Sequence, residues 1–445
     1  MNTPICDFVE KYTESNFLRL HMPGHKGCGS LGAEQFDITE VDGADSLYEA
    51  DGIIKQSEQN ASELFGCKTF YSTEGSSQCI RAMLYLAMLK AKQEGKQPII
   101  AAARNVHKTF LSAAALLDLE VEWLYPETAD NYLCCDISAD GLERALSDAP
   151  QKPTAVYITS PDYLGNVADV ASLAEVCHKY GALLLVDNAH GAYLKFLPKS
   201  QHPIDLGADL CCDSAHKTLP VLTGGAYLHL SEEMDKLLGD QAKNALALFG
   251  STSPSYLIMQ SLDAANAYLC DYPKKLSAFI AQVEKLKDEL AAHGFALCGS
   301  EPLKITVSAK DYGYTGKQIA DLILRQGIVS EFSDPDYIVF MLTPETGEAG
   351  LEKLKRAMFS ISPKSPIKDT PPKLMKAEQV ISIRDAALSA AEILPIENCH
   401  GRILAAATVG CPPAVPILVC GERIDSHALE CFKYYGIQSC SVVKK

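Results

Sequence analysis

Short apolar runs alternate with helical patterns from about residue 60 to residue 250, and this alternation constrains the fold of the 445-residue chain most strongly. The runs predict strands at 67–72, 98–103, 154–159, 182–187, 209–214 and 226–230. Strands that alternate with helices pair in parallel and carry helices on both faces. Because the runs are nearly continuous in apolar residues, as in strands covered on both faces, the sequence predicts an α/β fold with a mostly parallel central sheet.

The remaining parts of the chain predict further domains, as expected for a chain too long for one hydrophobic core. Residues 1–58 are polar and glycine-rich, and they predict an arm that packs at an interface. Residues 59–255 form the predicted large domain, and 256–292 the connecting helix. A small α+β domain is expected over 293–362, followed by a C-terminal segment or domain over 363–445.

Local patterns predict several elements after the large domain. Pro273 would divide the connecting helix into two. The runs LKITVSA and YIVFML predict strands of the small domain, with a helix between them at about 316–326. A helix is expected near 377–391 in the C-terminal segment.

Composition excludes several classes of protein. The net charge of −16 argues against a nucleic acid or an anionic membrane as a partner. The chain contains no apolar run of the ~18 residues that a membrane span needs, and its start lacks the pattern of a secretory signal, so we expect a cytoplasmic protein. Its 16 cysteines include no Cys-x-x-Cys pair, so we expect reduced thiols and no metal site.

Residues with suitable chemistry occur at three predicted strand ends, where ligands bind in a sheet of this kind. The three motifs that follow the strands are STEGSSQ, VDNAHGAY and DSAHKT. The residues that they contribute are Gly75, Ser76, Ser77, Asp187, His190, Ser214, His216 and Lys217.

Together these residues match the requirements of pyridoxal phosphate. Lys217 supplies an amine that can condense with the aldehyde of the cofactor. Asp187 supplies a carboxylate that keeps the pyridine nitrogen protonated, and a protonated ring is the better electron sink. Gly75, Ser76 and Ser77, at the start of a helix, supply backbone N–H groups and hydroxyls for the phosphate, to which Ser214 and His216 could add hydrogen bonds.

Each feature also has a structural interpretation. Taken alone, Lys217 fits a solvated strand end, and Asp187 fits a helix cap or a turn. Glycine and serine are common in any strand-to-helix turn. The hypothesis of a pyridoxal-phosphate enzyme therefore rests on all three features falling at predicted strand ends.

Further motifs, in the same order along the chain, resemble those of the Orn/Lys/Arg decarboxylase family. The resemblance is carried by LRLHMPGHKG (18–27), DITEVDGADSLYEADGIIKQSEQNASELFG (37–66), RNVHKTFLSAAAL (104–116), SPDYLGNVAD (160–169), VDNAHGAY, SAHKTLPVLTGG, STSPSYLIMQSLDAA (251–265) and GRILAAATVGCPPAVPILVCGE (401–422). It implies the aspartate-aminotransferase-like fold of pyridoxal-phosphate enzymes (fold type I). The length of the chain suggests the short form of the family.

The resemblance implies roles for the candidate residues. Lys217 would carry the cofactor, Asp187 would pair with its pyridine nitrogen, and His107 of RNVHK would stack on its ring. Ala189 or His190 would lie near the other ring face. The residues expected around the phosphate and Lys217 are Gly75, Ser76, Ser77, Ser214 and His216. Without the resemblance, His107 fits a loop or a helix cap.

The resemblance also implies an active site at a homodimer interface. Thr252 would reach the phosphate bound to the neighbouring subunit. The segment HMPGHKG would line the interface, with its histidines and Lys26 near the substrate entrance, although it equally fits a structural turn. The expected partners are a basic amino acid and at least one further copy of the chain.

The chain departs from the family pattern at several positions. Glu74 stands where the family usually has asparagine, and Asn188 replaces the usual glutamate. Gly224 lies in a Gly-Gly pair that replaces a glutamine-containing pattern, and CPP (411–413) and CGE (420–422) are also unusual. These departures spare Lys217 and Asp187, but they leave the identity of the substrate open.

The activity implied by the resemblance is α-decarboxylation of arginine, lysine or ornithine, in polyamine metabolism. A fixed orientation of the Cα–carboxylate bond against the ring selects decarboxylation over transamination, and Lys217 or His216 would return a proton to Cα. Glu331 and Asp45 are candidates for binding the distal cation of the substrate. The alternatives are an aminotransferase or lyase reaction on the same fold, and a non-catalytic paralogue that acts as a binding or regulatory protein.

Overall fold

A computed structural model describes residues 1–126, 128, 131–406 and 414–445 of the chain. The CPP departure at 411–413 lies outside these residues. The chain divides into two compact units, and each is assembled from two separate stretches. Unit 1 comprises residues 1–96 and 183–275, and unit 2 comprises residues 97–182 and 276–445.

The described residues contain the following helices and strands. The helices are α1 (Pro4–Glu14), α2 (Ile53–Phe65), α3 (Ser76–Gln93), α4 (Lys108–Leu117), α5 (Ala139–Asp148), α6 (Val170–Lys179), α7 (Ala215–Thr218), α8 (Glu232–Ala247), α9 (Tyr256–Leu269), α10 (Tyr272–Ala292), α11 (Gly316–Leu324), α12 (Gly347–Phe359), α13 (Ile383–Leu388) and α14 (Ser426–Tyr434). The strands are β1 (Lys68–Ser72), β2 (Ile99–Ala103), β3 (Glu120–Leu124), β4 (Ala155–Thr159), β5 (Leu183–Asp187), β6 (Leu210–Asp213), β7 (Ala226–Leu230), β8 (Ala296–Cys298), β9 (Lys304–Ser308), β10 (Phe332–Ser333), β11 (Tyr337–Met341), β12 (Ala391–Pro395) and β13 (Ser439–Val443).

Unit 1 contains four neighbouring strands in the order β1-β7-β6-β5. Strands β5 and β6 pair in parallel, with Asp187 opposite Cys212. Strand β7 is antiparallel to both of its neighbours, β1 and β6. Every residue of β5 is buried, as expected for a strand that is covered on both faces. The carboxyl ends of β5 and β6 therefore lie side by side, with Asp187 as the last residue of β5 and Lys217 in the short helix that follows β6.

Unit 2 contains three groups of strands. Strand β2 is buried along its whole length and pairs in parallel with both β3 and β4. The order β10-β11-β9-β8 forms an antiparallel sheet, which belongs to the predicted small α+β region. Strands β12 and β13 form a separate antiparallel pair near the C-terminus.

Capping side chains explain where several helices begin. The Asp169 carboxylate accepts a hydrogen bond from the Ser172 N–H at the start of α6. Thr315 and Gln318 form a reciprocal capping box at the start of α11. These side chains satisfy backbone N–H groups that have no partner inside the helix.

The predicted strands and most of the predicted helices are confirmed. The six runs correspond to β1, β2, β4, β5, β6 and β7, and the connecting helix is indeed two helices, α9 and α10, with Pro273 in the first turn of α10. The edge strand β3 was missed because its sequence, EVEWL, is only partly buried and is not a continuous apolar run.

The helix predicted near 377–391 is much shorter than expected. Only Ile383–Leu388 is helical, and the helix begins after Ser382, whose hydroxyl accepts from the Asp385 N–H. Upstream, the backbone of Gln379 forms a β-bridge with Glu422, and the Val380 N–H donates to the Gly421 carbonyl. Because those backbone groups bond to a distant segment, they do not form the first turns of a helix.

None of the helices in the described part of the chain has the length and apolar character that a membrane crossing requires.

Candidate active site

Lys217 lies in the one-turn helix α7, immediately after β6 in unit 1. Its side chain is partly buried, and its Nζ lies 3.1 Å from Nε2 of His190. His190 is itself almost completely buried in the loop after β5. The amine is therefore held against a second titratable group, rather than extended into solvent as at an ordinary strand end.

Asp187 is the last residue of β5 and is only 2% exposed. Its Oδ1 accepts a hydrogen bond from the Ala189 N–H at 3.2 Å and lies 3.7 Å from Sγ of Cys212. Since Cys212 pairs with Asp187 across the parallel strands, both side chains lie on the same face of the sheet. The backbone thus fixes a buried carboxylate at the strand end from which His190 also projects.

Two serine hydroxyls meet at the start of the long helix α3. The Oγ of Ser214 donates to the Oγ of Ser76 at 2.8 Å, which joins the loop after β6 to the first residue of α3. Gly75 precedes the helix with φ of +71°, a conformation that favours glycine, and Ser77 follows Ser76. Hydroxyls at the N-terminus of this 18-residue helix combine hydrogen-bond donors with the positive end of the helix dipole, an arrangement that suits an anion.

His216 is anchored by the turn that follows α7. Its Nδ1 lies 3.0 Å from the Gly225 carbonyl oxygen, which also accepts from the His216 backbone N–H. Burial lowers the pKa of His216; the Gly225 carbonyl opposes this effect, and the charge of Lys217 adds to it. The neutral imidazole with its proton on Nδ1 is therefore favoured, which leaves Nε2 able to accept a proton.

The structure gives physical reasons for the three described departures near the site. The Glu74 carboxylate accepts from the Ser251 N–H, so it is directed at a neighbouring segment. A Cβ on Gly224, which has φ of +102°, would lie 2.8 Å from the Thr73 carbonyl oxygen, so the position requires glycine. The Asn188 side chain donates to Oδ1 of Asp213 at 2.7 Å and belongs to a buried network.

Thr252 lies one residue beyond Ser251 and is exposed. It is therefore accessible on the surface of unit 1, on the segment to which Glu74 bonds. The expectation that it reaches the phosphate of a neighbouring subunit stays a prediction.

His107 belongs to unit 2, where it is the N-cap of α4. Its Nδ1 accepts from the Thr109 N–H at 3.2 Å and lies 2.9 Å from the Thr109 hydroxyl. An Nδ1 that accepts a hydrogen bond carries no proton, so the proton of the neutral ring lies on Nε2. The capping role is thus present in the structure, and stacking on a cofactor ring stays a prediction.

The N-terminal histidines stabilise a local turn. His21 Nε2 lies 2.6 Å from the Tyr12 hydroxyl, and His25 Nε2 lies 3.1 Å from Oδ2 of Asp37. Lys26 adopts a positive φ of 56° within this turn. These contacts fit the structural interpretation of HMPGHKG, while a position near a substrate entrance stays a prediction.

The two acids considered for the substrate cation differ in their surroundings. Both carboxylate oxygens of the buried Asp45 accept backbone N–H groups, including those of Ser46, Gly52 and Ile54. Glu331 is exposed, accepts from the Tyr163 hydroxyl at 2.9 Å, and lines a cleft of about 350 Å³ in unit 2. Asp45 therefore acts as a structural cap, and Glu331 is the better candidate.

Sequence reasoning missed two buried polar networks close to the candidate residues. In unit 1, Oδ2 of Asp213 lies 3.2 Å from Nε2 of both His202 and His229. In unit 2, Arg104 pairs with Glu422 at 3.0 Å. The first network joins residues 11 and 16 positions apart on different elements, and the second joins residues 318 positions apart. The signals in the sequence were two charged residues: Asp213, at the end of a predicted buried strand, and Arg104, three residues before the motif histidine His107.

Two family models match the chain. Residues 3–307 match the model described as Orn/Lys/Arg decarboxylase, major domain. Residues 365–440 match the model described as Orn/Lys/Arg decarboxylase, C-terminal domain.

Similar curated proteins and solved structures agree with these matches. The chain is 28% identical to an arginine decarboxylase of Bacillus subtilis (strain 168), with 95% of this chain and 91% of that protein covered. It is 29% identical to an arginine decarboxylase of Halalkalibacterium halodurans, with 96% and 92% covered. A crystal structure of the Francisella novicida lysine decarboxylase aligns with a TM-score of 0.80 at 16% identity, covering 99% of this chain and 81% of that one. A Sphingomonas wittichii serine palmitoyltransferase aligns with a TM-score of 0.57 at 14% identity, covering 80% and 83%. These structural likenesses confirm the fold class.

Proposed function

Because the chain belongs to the Orn/Lys/Arg decarboxylase family and is a pyridoxal-phosphate-dependent decarboxylase, we propose that it decarboxylates arginine. Arginine is proposed ahead of lysine and ornithine because several similar curated proteins that cover most of the chain are arginine decarboxylases. We expect the amine product to enter polyamine metabolism and the protein to act in the cytoplasm.

One observation carries the proposal: the Lys217 amine lies 3.1 Å from Nε2 of the buried His190, at the adjoining ends of β5 and β6. Ligands bind at such strand ends in α/β proteins. The reactive form of a lysine nucleophile is the neutral amine, and His190 is within reach to exchange a proton with it.

The described residues fit pyridoxal phosphate. Gly75, Ser76, Ser77 and Ser214 would hold its phosphate, since they combine hydroxyls with the start of α3. The buried Asp187 would pair with its pyridine nitrogen, Ala189 or His190 would lie near one ring face, and His107 would stack on the other. When bound, the cofactor supplies an aldehyde for the lysine and an electron-accepting ring that stabilises the carbanion left by decarboxylation.

Lys217 and His216 are the residues proposed to transfer protons during the reaction. Nδ1 of His216 is held by the Gly225 carbonyl and its pKa is lowered by burial, so Nε2 is a proton acceptor near neutral pH. The Lys217 amine, which lies within hydrogen-bond distance of His190, would return a proton to Cα of the product. We propose that Glu331 binds the guanidinium, because a carboxylate matches its planar donors.

We also propose that the active enzyme is a homodimer or a larger homo-oligomer. The N-terminal segment carries exposed apolar side chains that a soluble monomer rarely displays together: Phe17, Leu18, Leu20, Met22 and Leu31. Exposure of Thr252 agrees with a role in a neighbouring subunit.

Turnover of three amino acids tests the proposed function. Protein purified with pyridoxal phosphate is given arginine, lysine and ornithine separately, and the amine products and carbon dioxide are measured. We expect the amine derived from arginine to dominate, and Lys217→Ala to form none. Transfer of the amino group without carbon dioxide would indicate an aminotransferase. Cofactor binding without turnover of any of the three would indicate a non-catalytic paralogue.

A further inference from the structure

The loop between β2 and α4 carries His107 and is unusually well anchored for a strand-to-helix connection. It begins with Arg104, directly after β2, and ends with His107 as the N-cap of α4. The Arg104 side chain is 1% exposed, although a fully buried arginine is rare unless it is paired. The partners of Arg104 therefore determine how this loop is held.

Those partners come from the C-terminal domain, more than 300 residues along the chain. The Arg104 guanidinium donates to the carbonyl oxygens of Pro416 and Ile417 at 3.2 and 3.0 Å, and to Oε2 of Glu422 at 3.0 Å. It also lies 5.2 Å from the ring centroid of Trp123 in the neighbouring strand β3. One side chain thus links β2 and β3 to the segment that follows residue 414.

Glu422 is also buried, and its carboxylate accepts hydrogen bonds from two partners at this contact. Its side chain is 2% exposed, and its Oε2 accepts from the Val419 N–H at 2.7 Å in addition to Arg104. The carboxylate therefore closes the turn that presents the carbonyls of Pro416 and Ile417 to the guanidinium. Loss of its charge would leave a buried guanidinium without a counter-ion, which is strongly unfavourable.

Two further contacts hold α4 at its ends. The Lys108 N–H, in the residue next to His107, donates to the Ala414 carbonyl at 2.9 Å. At the other end, Nη1 of Arg384 donates to the carbonyls of Ala115 and Leu116 at 2.8 and 3.1 Å. Both Ala414 and Arg384 belong to the C-terminal region, so that region contacts the first and last turns of the helix.

We propose that the C-terminal domain positions the cofactor-facing loop, with Arg104 and Glu422 as positioning residues that fix His107 through the start of α4. The inference rests on the proposed function, in which His107 stacks on the cofactor ring. Arg104 and Glu422 need not touch cofactor or substrate themselves. Without their pairing, the His107 ring would sample several orientations, and the cofactor would bind less tightly and with a less defined geometry.

Hydrogen exchange of the cofactor-free protein tests the positioning step. Two variants are compared. Glu422→Gln removes the buried charge, and Arg384→Ala removes a partly exposed side chain, so it should perturb folding less. The control is Glu392→Gln, which removes the charge from the Arg402–Glu392 pair within the C-terminal domain. We expect amide exchange in residues 104–110 to accelerate about tenfold or more in Glu422→Gln, and less in Arg384→Ala, because local opening follows the lost contacts. The control should leave this segment unchanged.

Cofactor binding tests the consequence for the site. We expect Glu422→Gln and His107→Ala each to weaken pyridoxal-phosphate binding and to reduce the visible circular dichroism of the bound cofactor. The double variant should lose little more than either single variant, because both changes act through one ring. Unchanged exchange at 104–110 in Glu422→Gln, or fully additive losses, would overturn the inference. Absence of cofactor binding by the unaltered protein would instead overturn the proposed function, while the exchange result would still report on the loop.

Discussion

At the scale of single residues, buried charges near the strand ends are the most informative feature. Asp213 ends β6 and precedes Ser214, yet its side chain is fully buried. Its Oδ1 accepts from Asn188, and its Oδ2 faces His202 and His229. Burial raises the pKa of Asp213, but the two imidazoles lower it by more, so the carboxyl group stays ionised. This charge ties the loop after β5 to β6 and β7.

The residue-scale prediction is that Asp213→Asn destabilises the fold. The substitution turns one acceptor into a donor that faces buried partners, and breaking such a network costs about 3–5 kcal/mol. Urea unfolding measures the change. The matched control is Asp205→Asn, which breaks the partly exposed pair with Lys195 and should cost about 1 kcal/mol or less. Equal losses in the two variants would contradict a special role for Asp213.

At the scale of elements, the turn after α7 supports the start of α3. The Gly75 N–H donates to the Gly224 carbonyl at 2.7 Å, and Gly224 adopts φ of +102°. Its carbonyl thus holds the residue that precedes the helix at which the phosphate is proposed to bind. The local backbone thus requires glycine at position 224, which explains this departure from the family pattern.

Gly224→Ala should therefore destabilise the protein by about 2–4 kcal/mol, because the methyl group meets both an unfavourable φ and the Thr73 carbonyl. The control is Gly95→Ala, where φ is also positive but no atom lies within 4 Å of the added Cβ. That variant should lose only about 1 kcal/mol. Thermal or chemical unfolding checks both values, and a similar loss in the two variants would show that the contact with Thr73 is unimportant.

The turn between β10 and β11 gives a pH-dependent prediction. The pKa of Asp334 is raised to about 6. Burial is the largest cause and the charge of Asp336 adds to it, while hydrogen bonds from the Tyr337 and Asp336 N–H groups and the charge of Lys317 oppose the rise. A carboxyl group whose pKa is higher in the folded state binds more protons there than when unfolded. Its contribution to stability is therefore present at low pH and is lost as the pH rises from about 4 to about 6.

Comparison of the wild type with Asp334→Asn isolates this contribution. The asparagine keeps an oxygen for the two backbone N–H groups but cannot ionise. Between pH 4 and pH 7 the wild type should lose about 1–3 kcal/mol of stability relative to the variant, measured by denaturant unfolding. A constant difference across this range would show that Asp334 titrates as an ordinary surface carboxyl group.

At the scale of the whole molecule, the sequence predicted what depends on periodicity and missed what depends on distant contacts. The six buried strands and the positions of Asp187, Gly75 and Lys217 at their ends follow from apolar runs and motif order. The Arg104–Glu422 pair could not be predicted, because 318 residues separate its partners. The excess length of the predicted helix near 377–391 has the same cause, since a bridge to Glu422 takes the place of local hydrogen bonds.

In the candidate site, too, the sequence predicted the residues at the strand ends but not the contacts between their side chains. The sequence could predict which residue types lie at the ends of β5 and β6, because parallel strands end at the same edge of a sheet. The hydrogen bond between Lys217 and His190, and the contact of Glu74 with Ser251, required the structure. Both depend on side-chain directions within irregular loops, which no sequence period specifies.

Identification of the lysine that carries the cofactor tests directly whether Lys217 is the residue that binds pyridoxal phosphate. Protein loaded with pyridoxal phosphate is reduced with borohydride, digested, and mapped by mass spectrometry, with Lys217→Ala as the control. We expect one modified peptide, containing Lys217, and no modified peptide from the variant. Modification at a different lysine, or equal labelling of the variant, would contradict the assignment of Lys217 and the mechanism that depends on it.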